Sequence, residues 1–158
     1  MKTIRLGVFE TNSSSTHSFC VAKEHTTNYP NFVKFELDEF GWECCKYSST
    51  QDKANYLYTG ICCQEDDLRK VLLERLKTIL ENNNIQYEFE EERAESYFYV
   101  DHSLDLNLDF FSILESEDQV LSFLFDEKSF ILTGNDNDYE DVEIGFTGYE
   151  YYEYYKGN

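Results

Sequence analysis

Apolar positions recur at every second residue early in the chain. Residues 2–9 and 17–23 each read as a strand, and residues 31–37 (NFVKFEL) alternate as a third. Between the first two lies a polar run that includes three consecutive serines and ends at Thr16, and His17 opens the second strand. Residues 38–49 (DEFGWECCKYSS) carry no period and read as irregular. From Thr50 to Cys63 the spacing becomes helical. Ala54, Leu57, Tyr58 and Ile61 fall on one face, with Ser48 to Thr50 as candidate caps. EDDLRKVLLERLKTILENNN is the clearest helix. Its stripe is Leu68, Val71, Leu72, Leu76, Ile79 and Leu80, its first turn is acidic, and Asn82 to Asn84 stop it.

After Asn84 the period returns to two. In IQYEFEEE, Ile85, Tyr87 and Phe89 share one face, and Glu88, Glu90 and Glu92 fall near the other. YFYV (97–100) reads as a strand, and SLDLNLDF alternates from Leu104 to Phe110. SEDQVLSFLFD reads as a short helix capped by Ser116. SFILTG and VEIGF read as hairpin strands around the turn GNDND. Pro30 is the only proline, and neither a repeat nor a linker interrupts the chain. The reading is a single α+β domain over residues 1–158, an antiparallel sheet with two or three helices packed on one face.

Charge changes the picture. The chain carries 32 acidic and 13 basic side chains, a net of −19. Residues 1–84 hold 12 acidic against 10 basic, a near-neutral −2, and residues 85–158 hold 20 against 3, or −17. Such a field repels nucleic acid and anionic lipid and attracts basic surfaces. Simple solubility or adaptation to high salt is the plain alternative, but the N-terminal half lacks matching acidity. With 41% hydrophobic and 17% aromatic residues, the chain is not a disordered acidic tail.

Candidate chemistry is thin. The five cysteines include two vicinal pairs, Cys44-Cys45 and Cys62-Cys63, whose side chains diverge and chelate one zinc poorly. They read as partly buried reduced thiols, and no metal or other cofactor is expected. Aligning GNDNDYEDVE as a calcium loop puts Asp141 at the glycine position and Thr147 at the bidentate Glu position, so the motif fails. No secretory signal or membrane span is read, so the expected compartment is the cytoplasm. A nucleophile would have to come from the Ser13–Ser18 loop, with His17 as base and Ser15 or Ser18 as nucleophile or phosphate ligand. The same hydroxyls serve equally to satisfy the loop's own backbone.

The acidic half suits a different task. Carboxylates at i and i+2 on a strand face lie about 6.8 Å apart, comparable to successive phosphates. Glu88 and Glu90, the turn residues Asp136, Asp138, Glu140, Asp141 and Glu143, and Glu150 and Glu153 among Tyr151 and Tyr154 are candidate partner contacts. Tyrosine is a favoured interface anchor on which arginine stacks. Direct nucleic-acid binding is not expected, because the chain has no basic patch.

Residues 5–18, RLGVFETNSSSTHS, resemble the start of a family of bacteriophage and prophage proteins that open close to R-x-G-V-F-E-T-N-S-S-S-x-H-S. DKANYLYTGI (52–61) resembles a helix found after that start. The resemblance brings no catalytic role and implies a mobile-element origin. Small acidic phage proteins often inhibit host nucleic-acid machinery. The expected function is therefore an anti-CRISPR-like inhibitor that mimics nucleic acid. Its partner would be a basic nucleic-acid-binding host protein, foremost a CRISPR effector. The alternative is a small enzyme or nucleotide-binding protein using His17 and the serine loop.

Overall fold

A computed structural model describes residues 15–22, 29–41, 45–91, 97–101, 108–135 and 152–157. The described residues form an α+β fold in which helices and a four-stranded antiparallel sheet share one core.

At the centre of the core lies α1 (Thr50–Cys62). Ser49 caps it, its Oγ accepting the Asp52 N–H at 3.1 Å. Every residue from Lys53 to Cys62 is buried, not only the apolar stripe. A helix enclosed on all sides brings its polar residues into the interior, where each must find a partner. Neighbouring α2 (Asp66–Asn82) ends where the asparagines predict. The N–H groups of Asn84 and Ile85 donate to the carbonyls of Glu81 (3.0 Å) and Leu80 (2.9 Å). Asn84 takes φ 56°, the left-handed conformation that this cap requires and asparagine tolerates. Leu72, Leu76, Ile79 and Leu80 are buried. Val71, read as part of the stripe, lies at its edge beside an open groove and is 49% exposed.

Central in the sheet is β1 (Ser15–Ala22). It pairs antiparallel with β7 (Phe130–Asn135) and β8 (Tyr152–Gly157), and β4 (Cys45–Tyr47) joins β7 on its other side. Ser15 to Ser18 therefore belong to a strand rather than a loop. Ser15 and Thr16 pair with β7, and His17 and Ser18 pair with both β7 and β8, so the backbone here is held by the sheet. Phe19 carries β1 into the core, its ring 4.3 Å from Phe110 and 6.2 Å from Tyr56 between centroids. At its end, the Ala22 N–H donates to Ser129 Oγ, and that hydroxyl donates to the Ser122 carbonyl of α4 (Glu117–Phe125). Ser116 caps α4 as the sequence predicts.

Two strand pairs are parallel, unlike the predicted sheet: β2 (Phe32–Phe35) with β5 (Gln86–Phe89), and β3 (Glu39–Phe40) with β6 (Tyr99–Val100). Parallel neighbours need a long crossover, which α1 and α2 supply. The two pairs follow one another along the same two segments and are interrupted at Glu36–Asp38. There the N–H groups of Glu36, Leu37 and Asp38 donate to Asn55 Oδ1 (3.0 Å), Glu90 Oε2 (2.9 Å) and Thr59 Oγ1 (3.1 Å). Residues 38–49, read as irregular, thus contain β3 and β4. The alternation read through Phe110 gives way to a helical turn, α3 (Leu108–Phe111), followed by a 3-10 helix at Ser112–Glu115. Phe110 and Phe111 are both buried although adjacent, which a one-faced strand does not allow. Residues 2–9 and the VEIGF strand lie outside the described residues. Among the described residues no helix is long and apolar enough to cross a membrane.

Candidate partner-binding surface and the His17 cluster

His17 is 3% exposed, on the core side of β1. Its Nε2 lies 2.9 Å from the Gly41 carbonyl and its Nδ1 2.8 Å from Tyr56 Oη. The carbonyl can only accept, so Nε2 carries a proton and donates it. Burial holds the fully enclosed Tyr56 phenol well above its ordinary pKa, so its hydroxyl stays protonated beside Nδ1. Both ring nitrogens are thereby engaged with the fold. A general base needs a nitrogen facing substrate. Ser18 lies opposite Leu132 on one side and Lys156 on the other, and adjacent strand positions occupy opposite faces, so positions 17 and 18 do not converge. Ser15 lies opposite Asn135 at the strand's start.

The residues of DKANYLYTGI are similarly engaged. Lys53 Nζ donates to the carbonyls of Asp126 (2.6 Å) and Ser129 (3.1 Å). Burial lowers its pKa to about 8, against the opposing pull of Asp126 and Asp52. Asn55 Oδ1 accepts from Gln51 Nε2, just before this stretch, and from the Glu36 N–H.

Of the predicted acidic contacts, Glu88 and Glu90 come together. Glu88 is exposed and in register with Lys34 across the β2–β5 pair. Lys34 Nζ donates to Glu36 Oε1 at 2.6 Å. That bond and the charge of Glu36 raise its pKa, with Glu88 and Glu90 adding in the same direction. Glu36 thus holds the ammonium directly, and Glu88 and Glu90 add to the negative field around it. Glu90 also has a structural duty, because its carboxylate accepts the Leu37 N–H and its carbonyl accepts from Tyr58 Oη. Sequence reasoning passed over Glu36 and Lys34, although the alternation of NFVKFEL already set them on the polar face. It also passed over Tyr87, whose hydroxyl donates to Glu81 at 2.7 Å.

Glu153 and Tyr154 lie on β8, opposite Val21 and Cys20. Asp136, Asp138, Glu140, Asp141, Glu143, Glu150 and Tyr151 lie outside the described residues. Among the described residues, no group of three His, Cys, Asp or Glu side chains is placed to hold a metal. Cys20, Cys45, Cys62 and Cys63 are free of disulfides, and burial pushes the Cys20 thiol up to about 12. The groove between α2 and the 3-10 helix mixes Lys70 and Arg75 with Glu74, Glu115 and Glu117, so it presents no single sign of charge.

Comparison with protein-family models, curated proteins and solved structures returns no match to the chain.

Proposed function

We propose that the protein is a non-enzymatic inhibitor of phage or prophage origin. Its acidic surface takes the place of nucleic acid in the basic groove of a host defence protein, foremost a CRISPR effector. The observation that carries this reading is the acidic outer face of the β2–β5 pair, where Glu36 is paired with Lys34 and Glu88 lies in register beside it, on a chain whose residues 85–158 bear a net −17. Glu88 and Glu90 sit at i and i+2, about 6.8 Å apart along the strand, a phosphate-like spacing. Fast, salt-sensitive association with an Arg/Lys-rich surface follows from such a field. The engagement of His17 by Tyr56 and Gly41 favours this reading over catalysis at the serine stretch.

The test is retention of bacterial lysate proteins on the immobilised full chain, eluted with a salt gradient and identified by mass spectrometry. A nucleic-acid-binding protein eluting at moderate salt, and displaced by added DNA or RNA, is the expected result. Retention of no basic protein would leave the charge as a solubility device and overturn the proposal.

A further inference from the structure

We infer that the outward face of the β3–β6 pair is a docking surface for an arginine-bearing segment of a basic protein, with Tyr97 as its stacking platform. This rests on the inhibitor reading and names a surface for it that the acidic motifs of the sequence did not indicate.

In this pair Phe40 and Val100 point inward, each 1% exposed. Their neighbours Glu39 and Tyr99 are in register with each other on the opposite face. Tyr97, two residues before Tyr99, lies on that same face and is 77% exposed. Its ring meets that of Tyr99 at 5.6 Å between centroids and 61° between planes. Asp101 follows at the next outward position, and exposed Asp38 adjoins Glu39, accepting its N–H through Oδ1. Among the described residues no ion pair engages Asp38 or Glu39.

The chemistry selects the occupant. An aromatic face bordered by carboxylates attracts a cation and repels phosphate, so nucleic acid is excluded. Of the two cationic side chains, arginine is the better fit. Its planar guanidinium stacks on a ring and meets a carboxylate in bidentate fashion, whereas lysine offers only a point charge.

The experiment titrates the full chain into fluorescein-labelled oligo-arginine and oligo-lysine of equal length, followed by anisotropy. Oligo-arginine is expected to bind more tightly. Tyr97→Ala and Tyr97→Leu should each weaken it by about two- to fivefold, the size of an exposed cation–π contact, and narrow the gap to oligo-lysine. Glu39→Gln should weaken it as well. Equal affinity for the two peptides, or full affinity after both Tyr97 changes, would overturn the inference. The two proposals fail separately. Tyr97-dependent arginine binding without any nucleic-acid-binding protein in the lysate capture sinks the inhibitor reading alone. Capture that is indifferent to Tyr97 sinks this surface alone.

Discussion

Tyr56 Oη and His17 Nδ1 share a hydrogen bond of 2.8 Å, joining positions 39 residues apart in sequence. The two residues come from two stretches of the sequence, RLGVFETNSSSTHS and DKANYLYTGI. What the second contributes is thus a set of anchors: Tyr56 for the imidazole, Lys53 for the α4–β7 turn, and Asn55 and Thr59 for the break in the parallel ladder. Tyr56→Phe removes the hydroxyl from beside a buried imidazole nitrogen. It is expected to destabilise the fold by about 1–3 kcal/mol, read from urea unfolding. An unchanged midpoint would mean that the contact contributes little and would reopen His17 to other roles.

Lys53 predicts a pH dependence whose sign is unusual for a lysine that makes hydrogen bonds. Its folded pKa of about 8 lies below its ordinary 10.5. Between those values the unfolded chain holds the proton more tightly than the folded one, so this group's contribution to stability rises with pH. The slope is about 1 kcal/mol per pH unit. Cys20 acts in the opposite direction from pH 9 upward, since its folded pKa is raised to about 12. The contrast is therefore drawn against Lys53→Met, in which the cysteine contribution cancels. From pH 8 to pH 9 wild type should gain stability relative to the variant in urea titrations. A constant difference would show that Lys53 keeps its proton.

The α+β class and helices α1, α2 and α4 were legible because their signals are local: apolar spacing, Ser49 and Ser116 as caps, and the asparagine stop. Partners distant in sequence were not legible. Nothing local distinguishes a helix with one buried stripe from one buried all round, so the interior roles of Lys53, Asn55 and Thr59 were invisible. Strand direction was lost for a similar reason. Alternation marks β2 and β5 equally whether they pair parallel or antiparallel, and only the crossover through α1 and α2 decides. Of the candidate site, the Glu88/Glu90 alternation was readable. Lys34, Glu36, Glu39 and Tyr97 acquire meaning only once β2 lies beside β5 and β3 beside β6.

Asn55 tests the interrupted ladder. Its Oδ1 accepts from both the Glu36 N–H and Gln51 Nε2, in a setting where the side chain is buried. Asn55→Ala strands a backbone donor and should cost about 1–3 kcal/mol. Thr59→Val removes the acceptor of the Asp38 N–H while keeping the side chain's shape, so it should also destabilise. Hydrogen exchange at Glu36 and Asp38 is the direct check. Both amides should be protected in wild type, and each should lose protection in the variant that removes its acceptor. Protection that survives would show that other groups hold this segment.

Glu88 and Glu90 separate binding from folding. Glu88 is exposed beside Lys34, whereas Glu90 accepts the Leu37 N–H. Glu88→Gln should leave stability within about 0.5 kcal/mol of wild type, and Glu90→Ala should lower it by about 1–3 kcal/mol. Combining Glu88→Gln with Glu36→Gln removes two of the three charges around Lys34. The captured basic partner should then elute at lower salt, with a shallower dependence of affinity on ionic strength. The same result is expected for the pair Glu150→Gln and Glu153→Gln if the C-terminal tyrosine-rich segment joins the contact. A partner held equally well by both double variants, with its salt dependence intact, would show that neither cluster stands in for phosphates, and nucleic-acid mimicry through these carboxylates would fall.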